Sequence, residues 1–175
     1  MNIQTYHSIL SELPDHVKLI AVSKTKPVED IQILFNEGQR VFGENRAQEL
    51  KSKFEVLPKD IEWHFIGHLQ TNKIKYIAPF VSLIHSVDSF NLLQEINASA
   101  KKVNQIIPCL LQFHIAQEET KFGFDRKECI EMLGSNLFKT LQNIEIVGVM
   151  GMATFTDDQV QIRNEFKSLK DHFNF

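Results

Sequence analysis

The residue best suited to covalent chemistry in this chain is a lysine that ends an apolar run. The run reads Leu19-Ile20-Ala21-Val22-Ser23-Lys24-Thr25-Lys26-Pro27. Side chains alternate along a strand, so Ile20, Val22 and Lys24 share one face. This predicts two buried aliphatics beside the lysine stem and an amine withdrawn from water, the condition for attack on a carbonyl and Schiff-base formation. The plainer reading is that Lys24 caps the strand and reaches solvent. Gly43-Glu44-Asn45 closes a second short apolar run, where the Asn45 amide could meet an aromatic ligand oxygen beside Lys24 or simply make a turn. His64 lies in Trp63-His64-Phe65-Ile66-Gly67-His68, followed by Leu69-Gln70-Thr71-Asn72-Lys73. Gly67 breaks the stretch between His64 and His68, which argues against the helical spacing of a zinc site. His85 and His114 also end apolar runs but lack partners at metal-ligand spacing. Ser23 is not a hydrolase nucleophile, because no G-x-S-x-G elbow surrounds it.

The elements that must carry these residues follow from periodicity. Ile3 to Leu13 reads as a leading helix stopped by Pro14. Strands are expected over residues 17–23, 41–44, 62–66, 82–87, 107–115 and 144–150. Helical patterns separate them, starting at Pro27, Arg46, Gln70, Asp88 or Ser89, and Arg126. A final helix starts at Asp157 or Asp158 and carries Val160, Ile162, Phe166 and Leu169. Strand–helix alternation calls for a parallel sheet with helices outside it. No G-x-G-x-x-G follows the first strand, so the dinucleotide fingerprint is absent. Polar residues at the ends of several strands favour a barrel, whose site lies at the C-terminal face. A full barrel needs eight units and six are visible. In the polar loop of residues 117–124, Lys121 could face the same site.

The 175 residues suggest one domain, residues 1–175, with 43% hydrophobic and 23% charged residues. A formal net charge of −3 implies no general attraction to nucleic acid or acidic lipid. Cys109 and Cys129 read as reduced thiols of a cytoplasmic protein. No signal peptide or membrane-spanning run is seen.

Taken together, Ala21-Val22-Ser23-Lys24-Thr25-Lys26-Pro27, Phe42-Gly43-Glu44-Asn45, the stretch from Trp63 to Lys73, His85-Ser86-Val87-Asp88 and Lys121-Phe122-Gly123 resemble the pyridoxal phosphate homeostasis proteins, the YggS-like or PROSC family. The resemblance runs over nearly the whole chain. It implies an α/β fold: a TIM-type barrel of the alanine-racemase N-terminal kind, without the second domain of those enzymes. It implies pyridoxal 5′-phosphate held as a Schiff base on Lys24, with Asn45 in the pocket and His64 in a matching motif. It also implies a carrier or buffer in vitamin B6 and amino-acid homeostasis, serving pyridoxal-phosphate-dependent apoenzymes and not turning over substrate. Members of the family are expected to be monomers.

The family pattern continues beyond Phe175. Its further part is expected to add two strands, a glycine–serine phosphate cradle and an arginine at the pyridine nitrogen. Six strands alone are expected to leave two unpaired edges, with weakened coenzyme grip and self-association. Other readings are a fragment of a racemase or decarboxylase of this fold, an aldolase-type barrel using Lys24 without coenzyme, and a cofactor-free interaction module.

Overall fold

The computed structural model describes residues 2–116 and 122–174. Helix α1 (Ile3–Glu12) leads, with the Asn2 side chain accepting from the Thr5 N–H at its start. Six strands follow: β1 (Ala21–Val22), β2 (Val41–Glu44), β3 (Glu62–Phe65), β4 (Leu83–Val87), β5 (Ile107–Phe113) and β6 (Ile144–Gly151). Between and after them come α2 (Val28–Asn36), α3 (Ala47–Val56), a 3₁₀ helix over Thr71–Tyr76, α4 (Phe90–Lys102), α5 (Arg126–Gly134), a 3₁₀ turn over Phe138–Thr140, and α6 (Gln159–Phe173). All strand pairs are parallel, in the order β1-β2-β3-β4-β5-β6. Parallel neighbours require crossovers, and each crossover here carries a helix or a 3₁₀ segment.

The predicted units are therefore present, with two differences of kind. The third crossover is 3₁₀ where an α-helix pattern was read, and β1 is two residues long where a strand over 17–23 was expected. The ladder from β2 reaches β1 only through Ala21↔Phe42 and Val22↔Gly43. No strand lies on the other side of β1 among the described residues, so nothing extends its pairing toward Val17, which is 43% exposed.

The helix-covered side of the sheet holds the core. Phe42, Trp63, Phe65 and Ile84 face it and are essentially inaccessible, packed with Leu50, Ile31, Leu93 and Ile96 from the helices. Burying one such side chain contributes about 1.5–3 kcal/mol. The other side carries Gly43, His64 and His85. Gly43 is closely covered there: a Cβ at this position would lie 3.0 Å from Ile66 Cδ1 and 3.1 Å from Ile20 Cγ2, so those side-chain ends would have to give way.

Two caps fall among the residues read as helix starts, and the structure adds a third at Asp125. Ser89 starts α4, Asp158 starts α6, and Asp125 with Glu128 makes a reciprocal capping box on α5. The apolar reading of α6 needs correction. Val160 and Phe166 are 67% and 48% exposed, whereas Leu169 packs on the core and Glu165 is buried. The face laid on the sheet is Ile162, Glu165, Leu169 and His172, a 3–4 spacing that omits the two apolar residues. Glu165 is tolerated because its carboxylate accepts from Thr154 N at 2.7 Å, Thr154 Oγ1 at 2.7 Å and Gln161 Nε2 at 3.0 Å.

Candidate functional site

Lys24 sits just beyond β1, in a turn closed by Lys26 N–H donating to Ser23 O at 3.0 Å. It is exposed, and Val22 beside it is 52% exposed. The expectation of a desolvated amine between buried aliphatics is corrected: only Ile20 is partly covered. The reason is topological. Among the described residues β1 is an edge strand paired only to β2, and Lys24 lies in the turn beyond it, so its side chain reaches solvent.

The register aligns the strand ends that precede the other predicted residues. Val22 pairs with Gly43 and Gly43 with His64, and Lys24, Asn45 and Ile66 follow just beyond the ends of β1, β2 and β3. Asn45 is held by close backbone packing. A Cβ on Gly67 would lie 2.5 Å from Asn45 O and 2.6 Å from Asn45 Cβ, which explains the glycine in that motif. Ser86 Oγ donates to the Gly67 carbonyl and fixes the same corner. The Asn45 Oδ1 is shielded from solvent without a hydrogen-bond partner. A buried carbonyl oxygen left unmatched is costly unless a ligand donor meets it.

His64 does not stand alone. Its Nδ1 lies 3.0 Å from Nε2 of His85, with ring centroids 5.0 Å apart and tilted by 47°. One imidazole donates and the other accepts. Burial, helped for His64 by the neighbouring His85, pushes both pKa values down to about 4. A folded-state value below the unfolded value of about 6.5 means that the unfolded chain binds more protons in that window. Stability from this pair is therefore present above pH 6.5 and declines as pH falls toward 4. Urea unfolding midpoints of the unsubstituted chain are expected to drop over this range more steeply than those of a His64→Gln, His85→Gln double variant. Parallel slopes would show that the pair takes up protons equally well in the folded state.

His68 goes elsewhere. It contacts Asp88 at 3.1 Å and stacks on Phe122, centroids 4.5 Å apart. Among the described residues no group of three His, Cys, Asp or Glu could hold a metal ion. His114 is exposed at the end of β5. Lys121 lies outside the described residues.

Sequence reasoning missed the charged cluster beneath Lys24. Lys53 on α3 is only 6% exposed, and its Nζ donates to Ser23 O at 2.8 Å, Glu44 Oε1 at 2.7 Å and Glu49 Oε1 at 2.7 Å. Ser23 Oγ donates to Glu44 Oε1 at 2.6 Å, and Thr25 N–H donates to Glu49 Oε1 at 2.8 Å. Burial alone would raise the Glu49 pKa, but the hydrogen bonds from Lys53 and Thr25 outweigh it and bring it below its usual value. A signal was available: Glu49 and Lys53 are four apart on one helix, and Glu44 ends a strand with no exposed residue.

The geometry presents an accessible lysine just beyond a strand end, two histidines in contact and a shielded amide oxygen without a partner.

Residues 1–174 match the alanine racemase N-terminal domain family. The pyridoxal phosphate homeostasis protein of Aquifex aeolicus is 40% identical over 155 residues, which are 88% of this chain and 67% of that protein. The protein of that name from Helicobacter pylori strain 26695 is 37% identical over 160 residues, 90% of this chain and 72% of the relative. The chain thus spans about two thirds of the length of these curated relatives. Among solved structures, PipY of Synechococcus elongatus PCC7942, with PLP bound, superposes with a TM-score of 0.85 at 30% identity, covering 98% of this chain and 79% of PipY. An alanine racemase of Clostridium difficile shares the fold, with a TM-score of 0.75 at 17% identity over 98% of this chain and 46% of the racemase. The open six-stranded sheet thus corresponds to strand–helix units of a TIM-type barrel, and the chain belongs to the alanine racemase N-terminal domain family and, within it, to the pyridoxal phosphate homeostasis proteins.

Proposed function

We propose that the chain holds pyridoxal 5′-phosphate reversibly on Lys24 and acts as a carrier and buffer of the coenzyme, in vitamin B6 and amino-acid homeostasis, without turning over a substrate. The observation that carries this reading is an exposed Lys24 just beyond the C-terminal end of β1, next to the strand end that Asn45 follows. When bound, the coenzyme supplies an aldehyde that condenses reversibly with an amine and releases water. Lys24 provides the nucleophile, and its side chain is exposed. Asn45 orients a ring substituent through its unmatched oxygen. His64 and His85 keep their contacting nitrogens on each other, so that their role is a neutral wall.

The carrier half of the reading is supported by the names of the relatives, and the choice of coenzyme by PipY, which carries PLP. Release to apoenzymes that need the coenzyme follows from reversible capture. The test is to incubate the chain with pyridoxal phosphate, reduce with borohydride, digest, and locate the adduct by mass spectrometry. One dominant adduct at Lys24 is expected. Scattered labelling of surface lysines with position 24 untouched would sink the capture reading, and steady Lys24-dependent turnover of an amino acid would sink the carrier reading.

A further inference from the structure

We infer that Glu49, with Lys53 and Glu44, is a positioning device for Lys24, setting the direction from which its amine leaves the backbone; this rests on the capture reading above. The two peptide groups that flank Lys24 are each held by a charged side chain. The carbonyl of Ser23, preceding it, accepts from Lys53 Nζ at 2.8 Å, and the N–H of Thr25, following it, donates to Glu49 Oε1 at 2.8 Å. Glu49 and Glu44 both anchor Lys53, and Glu44 also holds the Ser23 hydroxyl. Lys24 is thus bracketed on both sides by one connected ionic network although its own side chain lies in solvent.

Three further features point to positioning instead of general support. The sheet ladder ends at Ser23, whose N–H reaches Gly43 O at 2.9 Å, so past it the peptide groups on either side of Lys24 rely on the turn bond from Lys26 N–H to Ser23 O and on this network. Thr25 has φ +63°, a conformation uncommon for a β-branched residue, and the Glu49 carboxylate on its N–H holds it there. Finally, two carboxylates and an ammonium beneath a strand end hold a sheet together no better than apolar residues of similar volume. Glu44 Oε2 lies buried without a partner, a cost that sheet packing alone does not call for. What the cluster delivers is a fixed backbone at the one residue whose amine must meet an aldehyde carbon.

The experiment compares the unsubstituted chain, Glu49→Ala and Glu49→Gln. The Glu49 side chain is 24% exposed, so its replacement leaves the core intact, and Gln keeps shape and an acceptor for Thr25. The readouts are the rate of borohydride-trapped pyridoxal phosphate at Lys24, acetic anhydride labelling of Lys24 relative to Lys26, and hydrogen exchange at the Thr25 amide. Glu49→Ala is expected to speed Thr25 exchange and to slow coenzyme capture roughly tenfold to a hundredfold, the scale for a misplaced reacting group. Glu49→Gln is expected to recover part of that rate. Acetylation of Lys24 by the small unselective reagent is expected to match the unsubstituted chain, which separates lost direction from lost access or loosened fold. Capture at the unsubstituted rate in Glu49→Ala, with Thr25 exchange accelerated, overturns the positioning role and leaves the capture reading standing. Equal slowing of capture and acetylation overturns it too. Absence of any Lys24 adduct in the unsubstituted chain overturns the capture reading, and this inference with it.

Discussion

Chains carrying Lys24→Ala or Lys24→Arg are expected to form no reducible pyridoxal phosphate adduct at position 24 and to lose the absorbance change that accompanies capture. The pair of variants separates two roles of one side chain. Arginine keeps the positive charge near an approaching phosphate but stays protonated and cannot condense with an aldehyde. If charge attraction were the main source of binding, Lys24→Arg would retain most of the affinity by equilibrium dialysis; the capture reading expects it to fall with Lys24→Ala. Lys26 serves as an internal reference. It lines a cavity of about 170 Å³ against α2, with Ala21, Val22, Asp30 and Leu34, and Lys26→Ala is expected to capture at the unsubstituted rate. The amide beside the site contributes on a smaller scale. Removing the Asn45 acceptor forfeits one hydrogen bond, about 1 kcal/mol, or several-fold in affinity. The covalent residue therefore dominates, and a loss at Asn45 equal to that at Lys24 would mean that the ligand is held mainly by hydrogen bonding.

The strands that lead to the proposed site were legible from the chain. A period of two, once three parallel strands are inferred, aligns Val22, Gly43 and His64, as the register has them, with Lys24 and Asn45 just beyond the strand ends. The environment of Lys24 was not legible, because burial depends on what lies across a face, and alternation along one strand says nothing about that. Val22 is apolar and half exposed for this reason. The charged cluster escaped for a different reason. Ser23, Glu44, Glu49 and Lys53 come from three elements, and acidic and basic residues on a helix ordinarily read as its solvated side. α6 shows the reverse error: Val160 and Phe166 look like a core face, yet Glu165 is the residue laid on the sheet, because Thr154 and Gln161 satisfy its carboxylate. In both cases tertiary hydrogen bonding overrides composition, and that information is spread across positions too far apart to be read as a pattern.

Replacing Lys53 by methionine is expected to destabilise the fold by about 3–5 kcal/mol, the range for breaking a buried ion pair by removing one partner. The apolar stem would be kept, so the loss would come from the charge left behind. Glu44 is fully buried, and without Lys53 its Oε1 would retain only the Ser23 hydroxyl while Oε2 already lacks a partner. Glu49 would fare better, being partly solvated and still accepting from Thr25. The penalty should therefore belong to Glu44, and Glu44→Gln in the Lys53→Met background is expected to restore most of the lost stability. Urea unfolding of the four chains of this cycle gives the coupling between the two positions directly. A cost below about 1 kcal/mol for Lys53→Met, the size typical of exposed pairs, would show that water reaches Glu44 in solution. Full additivity of the two substitutions would show that the penalty does not arise from the stranded carboxylate at all.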